Sequence, residues 1–235
     1  MRKELAIKNQ FSKFATKYNN HNIIQQIVSK ALVRDIKNNP KRILELGCGS
    51  GQVFRNIDFD FDYYKAIDFS QEMCDMHPKN DKLDIVCLNF DSDDFYENIK
   101  DEKYDLILSS SSLQWSEDLS KILKALTLVS NTINMVLFTS NTFKTIFELT
   151  KTKSPILELD VIKNIFLDYY ECTFEVLDYK LEFDRKKDLF SYIKNSGVSG
   201  ETNNLSFKQA KNLYKNYDKN YLEFEVVFIK GLKKC

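Results

Sequence analysis

The chain has 235 residues, enough for one domain with an insertion and a sizeable core. Its 34 basic and 34 acidic side chains cancel, which argues against a general nucleic-acid or membrane-surface binder, since such proteins are usually basic overall. The five cysteines are odd in number and form no Cys-x-x-Cys pair, so neither a zinc site nor a disulfide framework is expected, and a reduced compartment is. Met1 to Leu5 lacks the apolar core of a signal peptide, and no apolar run approaches the ~18 residues of a membrane span. The expectation is a soluble, cytoplasmic, monomeric protein.

In chain order, Lys3 to Asn38 carries helical spacing in two sets, Phe11, Phe14, Ala15, Tyr18 and then Ile23, Ile24, Ile27, Val28, Ala31, Leu32, with a break at Asn19 to Asn22. Pro40 closes this segment. Arg42 to Leu46 reads as a first strand and Gly51 to Ile57 as a short helix. Tyr63 to Asp68 is a second strand, followed by a short helix to Met76 that Ser70 caps. Leu83 to Leu88, Tyr104 to Ser109 and Met135 to Thr139 are further strands, with a helix over Leu119 to Val129 between the last two. Strands alternating with helices from 41 to 140 predict βαβ units on a parallel sheet, which puts Gly47, Asp68, Asp91 and Ser109 along one ligand-binding edge. After Thr139 the rhythm changes. Two helices over Asn141 to Tyr170, parted at Ser154-Pro155, precede a strand over Thr173 to Phe183. Helices over Lys186 to Asn195 and Phe207 to Tyr217 and a closing strand over Tyr221 to Lys230 complete the chain. The expected organisation is a single domain: an N-terminal helical cap (1–39), a ligand-binding core (40–140), a helical lid inserted after the fifth strand (141–220) and the closing strand (221–235).

The stretch Glu45-Leu46-Gly47-Cys48-Gly49-Ser50-Gly51 organises this reading. An apolar strand leaves through alternating glycines, which permit unusual φ values and close ligand approach. Such a turn is expected to offer N–H groups and the positive end of a helix. A dinucleotide site wants a third glycine three positions after Gly49, but residue 52 is Gln and Gly51 arrives one residue early. Glu45-x-Gly47-x-Gly49-x-Gly51 instead resembles motif I of the Rossmann-like methyltransferases that use S-adenosylmethionine. There the glycines pack against the amino-acid and ribose portion of a cofactor that has no phosphate.

That resemblance assigns further residues. Asp68, ending the second strand, stands where an acidic residue bonds a ribose diol; a carboxylate accepts from both hydroxyls. Phe69 and Met73 are either walls of the adenine pocket or plain core, and Phe90 is a further cofactor-binding candidate. Asp91 stands where an acidic residue faces the adenine amino group, although Asp91-Ser92-Asp93-Asp94 reads equally well as a loop charge run. Glu45, Cys48, Ser109 and Ser110 complete the cofactor set. The Ser109 to Ser112 run allows close backbone approach. Gln114 and Trp115, the one tryptophan, follow it where the transferred methyl belongs.

Phe11-x-x-x-Ala15-x-x-Tyr18-x-x-His21-x-x-x-Gln25 narrows the resemblance to the malonyl-acyl-carrier-protein O-methyltransferases of biotin synthesis. The stretches Tyr104-Asp105-Leu106 to Leu113-Gln114-Trp115, Asp118-Leu119-Ser120, Phe147-Glu148-Leu149, Tyr192-Ile193-Lys194-x-x-Gly197 and Leu205-Ser206-x-x-Gln209 fall in the same family's order. Two departures stand out: Ser130 to Asn134 replaces the usual Pro-Gly-Gly turn, and Ser110 stands where Asn is common.

The resemblance implies methyl transfer from S-adenosylmethionine to the free carboxylate of a malonyl thioester on acyl carrier protein, leaving S-adenosylhomocysteine, with no metal and no nucleic acid involved. A carboxylate is already ionised at pH 7 and needs no general base. Tyr18, Gln114 and Trp115 are expected to position the reactants. Lys194 is either a ligand for the malonyl group or a solvated helix lysine. Lys208, Lys211 and Lys215 share one helix face, which is either a dock for the acidic carrier protein or simply a solvated stripe. A small free acid of the trans-aconitate type as acceptor, or a non-catalytic subunit, are the alternatives.

Overall fold

The computed structural model describes residues 22–195 and 206–234. Phe11, Ala15, Tyr18 and His21 of the opening motif, together with Gly197 and Leu205, lie outside them, whereas its last member, Gln25, lies within. The elements run α1 (Ile23–Arg34), β1 (Arg42–Leu46), β2 (Tyr63–Asp68), α2 (Gln71–Met76), β3 (Leu83–Cys87), α3 (Asp94–Ile99), β4 (Leu106–Ser110), α4 (Leu119–Leu126), β5 (Thr132–Phe138), α5 (Lys144–Thr150), α6 (Leu159–Tyr169), β6 (Tyr170–Glu182), α7 (Lys186–Asn195), α8 (Phe207–Asn216) and β7 (Tyr221–Lys233).

The strands form one sheet in the order β3-β2-β1-β4-β5-β7-β6. β1 to β5 pair in parallel, and β7 runs antiparallel to both β5 and β6, so one strand opposes the rest. The central strands are apolar on both faces because both are covered. Ile43, Tyr64, Leu106 and Val136 face a core with Val28 and Leu32 of α1. Leu44, Ile67, Ile107 and Met135 face the opposite core with Ile122 and Leu126 of α4 and Ile162 and Phe166 of α6. Continuous burial along β1 and β2 is the signature of a parallel sheet sandwiched between helices. Strand β6 lies at the edge and alternates exposed charged residues (Glu171, Glu175, Lys180) with half-buried ones, which discourages further strand pairing.

Local chemistry sets the helix starts. The Ser70 hydroxyl accepts from the Met73 N–H, the Asp118 carboxylate from the Lys121 N–H, and Ser206 with Gln209 makes a reciprocal capping box at α8. Several elements differ from the sequence expectation. The helix expected over Gly51 to Ile57 is a set of turns with a single 3₁₀ turn at Phe54–Asn56, because three left-handed glycines precede it and cannot continue a right-handed helix. α4 ends at Leu126, short of Val129, with the Thr127 hydroxyl bonding the Lys124 carbonyl. β5 begins at Thr132 and β6 at Tyr170, each three residues earlier than expected. α3 was not expected at all.

Between β1 and β4 the chain's direction of growth across the sheet reverses, and the carboxyl ends of these strands open a crevice. At the same edge β6 and β7 continue past the end of β5, pairing Tyr221 to Glu225 with Asp178 to Glu182. α7 and α8 connect those strands there. Leu189, Tyr192, Leu213 and Tyr217 bury against Phe138, Phe143 and Phe224 in one core that also contains Trp115. The helices following β5 are thus divided between two connections: α5 and α6 precede β6, and α7 and α8 follow it.

Candidate active site

The glycine turn leaves β1 with φ values of +69°, +52° and +88° at Gly47, Gly49 and Gly51. A Cβ on Gly47 would sit 2.1 Å from the Ser112 Cβ, so the β1 and β4 loops meet there with no room for a side chain. The Ser109 and Ser112 hydroxyls both lie on the Leu46 carbonyl, at 3.0 and 2.9 Å, and tie the two loops together. Ser111, between them, is left-handed at φ +58°.

The turn does not offer its amides to an anion. The Gly47 and Cys48 N–H groups both donate to the Ile67 carbonyl, at 2.8 and 3.0 Å, and the Gly51 N–H to the Cys48 carbonyl. The Gly49 N–H donates to Asp68 Oδ2 at 2.8 Å. With these amides engaged and no α-helix directly following, the turn lacks the free N–H groups and helix end expected of it, a correction that suits a ligand without phosphate.

Asp68 is the electrostatic centre. It is 6% exposed at the end of β2, and its Oδ1 accepts from the Ser70 N–H at 2.9 Å. Burial pushes its carboxyl up to about 6, against the pull of the backbone N–H groups of Ser70, Gly49 and Phe69. The remaining lone pairs suit neutral hydroxyl donors, which would satisfy the carboxylate without a cation. Around it, Gly47, Gly49, Phe69, Met73, Phe90, Ser110, Ser111, Ser112 and Trp115 line a cleft of about 490 Å³ including its open mouth. A second recess of about 340 Å³ lies across the turn, against Gln25, Ser29, Glu45, Cys48 and Ser50, sharing Gly47, Gly49, Ser110 and Ser111 with the first. Burial pushes the Glu45 carboxyl up to about 8, although the Tyr64 hydroxyl donates to it at 2.6 Å. The buried Gln25 Oε1 and Ser111 Oγ have no hydrogen-bond partner among the described residues.

Eight of the sequence candidates therefore line the first cleft: Gly47, Gly49, Asp68, Phe69, Met73, Phe90, Ser110 and Trp115. Glu45 and Cys48 line the second recess. Four others are placed differently. A Cβ on Gly51 would meet Pro78 and His77, so this glycine serves the packing of the turn. Asp91 accepts from the Glu117 N–H at 3.1 Å and holds the loop before α4. Ser109 is fully buried on Leu46. Gln114 is buried with its amide on the Ser111 carbonyl at 2.7 Å, beneath the lining rather than in it. Lys194 belongs to the last turn of α7, with its side chain outside what is described. Lys208, Lys211 and Lys215 are exposed on α8. Gln25 was not singled out as a site residue, and Ser111 and Ser112 only as members of the Ser109 to Ser112 run. A four-serine run directly after a strand was the available signal for the last two.

A seven-stranded sheet with one antiparallel strand, a glycine turn after β1 and an acidic end to β2 defines the Rossmann-like methyltransferase fold. Residues 44–130 match the family model described as a methyltransferase domain. That match covers 87 of the 235 residues and assigns a methyltransferase domain to this segment. Among curated relatives, the malonyl-[acyl-carrier protein] O-methyltransferase of Bacillus cereus is 26% identical over 127 residues, covering 51% of this chain and 46% of that protein. The protein of the same name from Buchnera aphidicola is 29% identical over 137 residues, 55% of this chain and 51% of that protein. The chain spans about half the length of the curated relatives it matches.

Solved structures agree on the fold. The YcgJ protein of Bacillus subtilis superposes with a TM-score of 0.65 at 12% identity, over 89% of this chain and 99% of that one. A Haloferax volcanii putative methyltransferase, solved with the Trm112 activator, gives 0.64 at 12% identity over 97% and 98%. The plantazolicin methyltransferase BpumL, solved with S-adenosylhomocysteine, gives 0.51 at 15% identity over 96% of each chain. No helix among the described residues is long and apolar enough to cross a membrane. Among the same residues no group of three or more His, Cys, Asp or Glu side chains is placed to hold a metal ion.

Proposed function

We propose that this chain transfers a methyl group from S-adenosylmethionine to the free carboxylate of a malonyl thioester carried on acyl carrier protein. The observation that carries the cofactor half is Asp68, a buried carboxylate with spare acceptor capacity beside an apolar wall of Phe69, Met73 and Phe90. In this reading Asp68 holds the ribose diol and the wall holds the adenine. The recess around Gln25 and Glu45 takes the amino-acid end, whose ammonium would find the unpartnered Gln25 oxygen and a carboxyl it can draw back toward ionisation. When bound, the cofactor supplies a methyl group on a sulfonium, activated for attack.

The chain's own task is then modest. The acceptor is an anion at neutral pH, so proximity and in-line orientation account for most of the acceleration. Trp115 and the Ser110 to Ser112 backbone, at the cleft wall beyond Asp68, shape the acceptor side. Enclosing two opposite charges away from water favours a transition state in which charge is being neutralised. The acceptor's identity is supported by the names of the curated relatives and by the opening motif through Tyr18. The exposed stripe of Lys208, Lys211 and Lys215, flanked by Phe207 at 85% exposure, suits an acidic carrier.

The test is initial rates of methyl transfer with malonyl-acyl-carrier-protein, malonyl-coenzyme A and free trans-aconitate side by side. The highest kcat/KM on the carrier-linked substrate is expected. Transfer to aconitate alone would overturn the acceptor, and no transfer to any of them despite cofactor binding would overturn catalysis.

A further inference from the structure

Three cysteines converge on the adenine side of the cleft, and the reaction above uses none of their thiols. Cys48 follows Gly47 in the turn, Cys74 lies in α2 one residue after the cleft-lining Met73, and Cys87 ends β3. Asp68 and Cys87 are register partners across β2 and β3. The Cys74 thiol donates to the Asp68 carbonyl and the Cys87 thiol to the Phe69 carbonyl, each at 3.7 Å, so the two sulfurs are anchored on consecutive carbonyls. Cys74 lies close enough to both Cys48 and Cys87 for their side chains to shift its titration. Cys48 and Cys74 are buried, whereas Cys87 is exposed.

We propose that Cys74 and Cys87 form an oxidisable thiol pair whose disulfide disables the cofactor cleft. The oxidant is a peroxide. Exposed Cys87 attacks one peroxide oxygen, the O–O bond breaks, and Cys87 sulfenic acid and water result. The Cys74 thiolate then attacks the Cys87 sulfur; the S–S bond forms as the S–O bond breaks, and hydroxide leaves to become water. Two thiols and one hydrogen peroxide thus give one disulfide and two waters. The geometry favours Cys74 as the resolving thiol, because it is buried on the Asp68 carbonyl next to the carbonyl that holds exposed Cys87; the neighbouring Cys48 side chain also holds it below the ordinary thiol range. Cys48 is held well above that range by the same partner and by burial, and stays protonated.

The consequence follows from the position of α2. This helix has only six residues, and its Met73 and the preceding Phe69 are both cleft walls. Bonding Cys74 to the end of β3 draws α2 toward the sheet edge and displaces those walls. That consequence rests on the reading of the cleft as the cofactor site; the thiol pair itself does not.

The test treats the protein with hydrogen peroxide, maps its disulfides by mass spectrometry and titrates S-adenosylhomocysteine into reduced and oxidised samples. The expected results are a Cys74–Cys87 bridge that dithiothreitol reverses, no bridge in Cys87→Ser, and at least about tenfold weaker ligand binding after oxidation of the parent only, ~1.4 kcal/mol. Peroxide that leaves Cys87 as a sulfinic acid with Cys74 unbridged, or that joins Cys48 to Cys74 instead, would overturn the pair. A bridge that leaves ligand affinity unchanged would overturn its hold on the cleft. Reduced protein that binds no S-adenosylhomocysteine at all would refute the cofactor reading instead, and the disulfide map would still decide the thiol pair.

Discussion

Replacing Asp68 by Asn separates the binding role proposed for this carboxylate from its structural cost. In the ligand-free protein, burial raises the carboxyl from 3.8 to about 6, so keeping it ionised above pH 6 costs about 3 kcal/mol at ~1.4 kcal/mol per pKa unit. Asn removes that cost. It also turns an amide NH₂ toward either the Gly49 or the Ser70 N–H, both of which now donate to the carboxylate, and an unsatisfied buried donor costs ~1–3 kcal/mol. The two effects oppose each other, so the expected change in unfolding free energy by urea titration is within ~2 kcal/mol of zero. Binding has no such compensation. Two hydroxyl donors to an ionised carboxylate are worth ~1.5–3 kcal/mol each, and Asn accepts at one oxygen only, so S-adenosylhomocysteine should bind about a hundredfold more weakly by calorimetry.

The pH profile sharpens the test. The diol prefers the ionised carboxylate, so between pH 6 and 5 parent affinity should fall with a slope that approaches tenfold per unit, and this slope should flatten in Asp68→Asn. An Asn variant that binds within threefold of the parent, with an unchanged pH slope, would refute the assignment of the ribose to Asp68.

Further expectations follow from the same geometry. Gly47→Ala introduces both a left-handed Cβ and a 2.1 Å clash with Ser112, so it should lower the melting temperature by several degrees, with partial recovery in Gly47→Ala/Ser112→Gly; an unchanged melting temperature would contradict the tight loop crossing. Glu45 is raised from 4.5 to about 8 by burial, so the folded state favours its neutral form. The stability it contributes is full below pH 4.5 and is lost as pH rises through about 8; urea titrations should show parent stability falling from pH 5.5 to 8.5 more steeply than that of Glu45→Gln. Trp115→Ala opens a void at an 8% exposed site and should cost ~3–5 kcal/mol, whereas Trp115→Phe should fold and lose turnover with little change in cofactor affinity. Changing Lys208, Lys211 and Lys215 together to Glu should cut kcat/KM on the carrier-linked substrate, spare malonyl-coenzyme A and abolish the salt dependence of the former; equal losses on both would sink the docking role.

The parallel core was legible because β1 and β2 are apolar on both faces and stop at residues with backbone or carboxylate work to do, Gly47 and Asp68. What escaped notice did so for local reasons. α3 shows only Phe95 and Ile99 as apolar anchors, one turn apart behind a run of aspartates, too short for a period to emerge. The start of β5 hides behind Asn134, a buried polar residue whose amide donates to the Leu32 carbonyl of α1. Helix α6 passes straight into β6 at Tyr170, with no glycine or proline to mark the boundary. In the site, linear spacing indicated which residues come near the cleft better than which way their polar atoms face. Asp91, Ser109 and Gln114 sit beside the cleft but bond to the loops that build it, Gln114 through its amide nitrogen while its buried Oε1 has no partner among the described residues, a distinction that linear spacing does not encode. Gln25 shows the converse: its buried acceptor becomes a candidate only once α1 is packed against the glycine turn.

The most direct test of the account is where the methyl group lands. S-adenosylmethionine carrying a ¹³C-methyl is incubated with this protein and malonyl-acyl-carrier-protein, and the product is read by carbon NMR. The account predicts a single labelled methyl ester on the malonyl carboxylate, stoichiometric with S-adenosylhomocysteine and absent with Asp68→Asn at low cofactor concentration. Label on carbon, nitrogen or sulfur, or unlabelled malonyl thioester after prolonged incubation with cofactor-saturated protein, would contradict it.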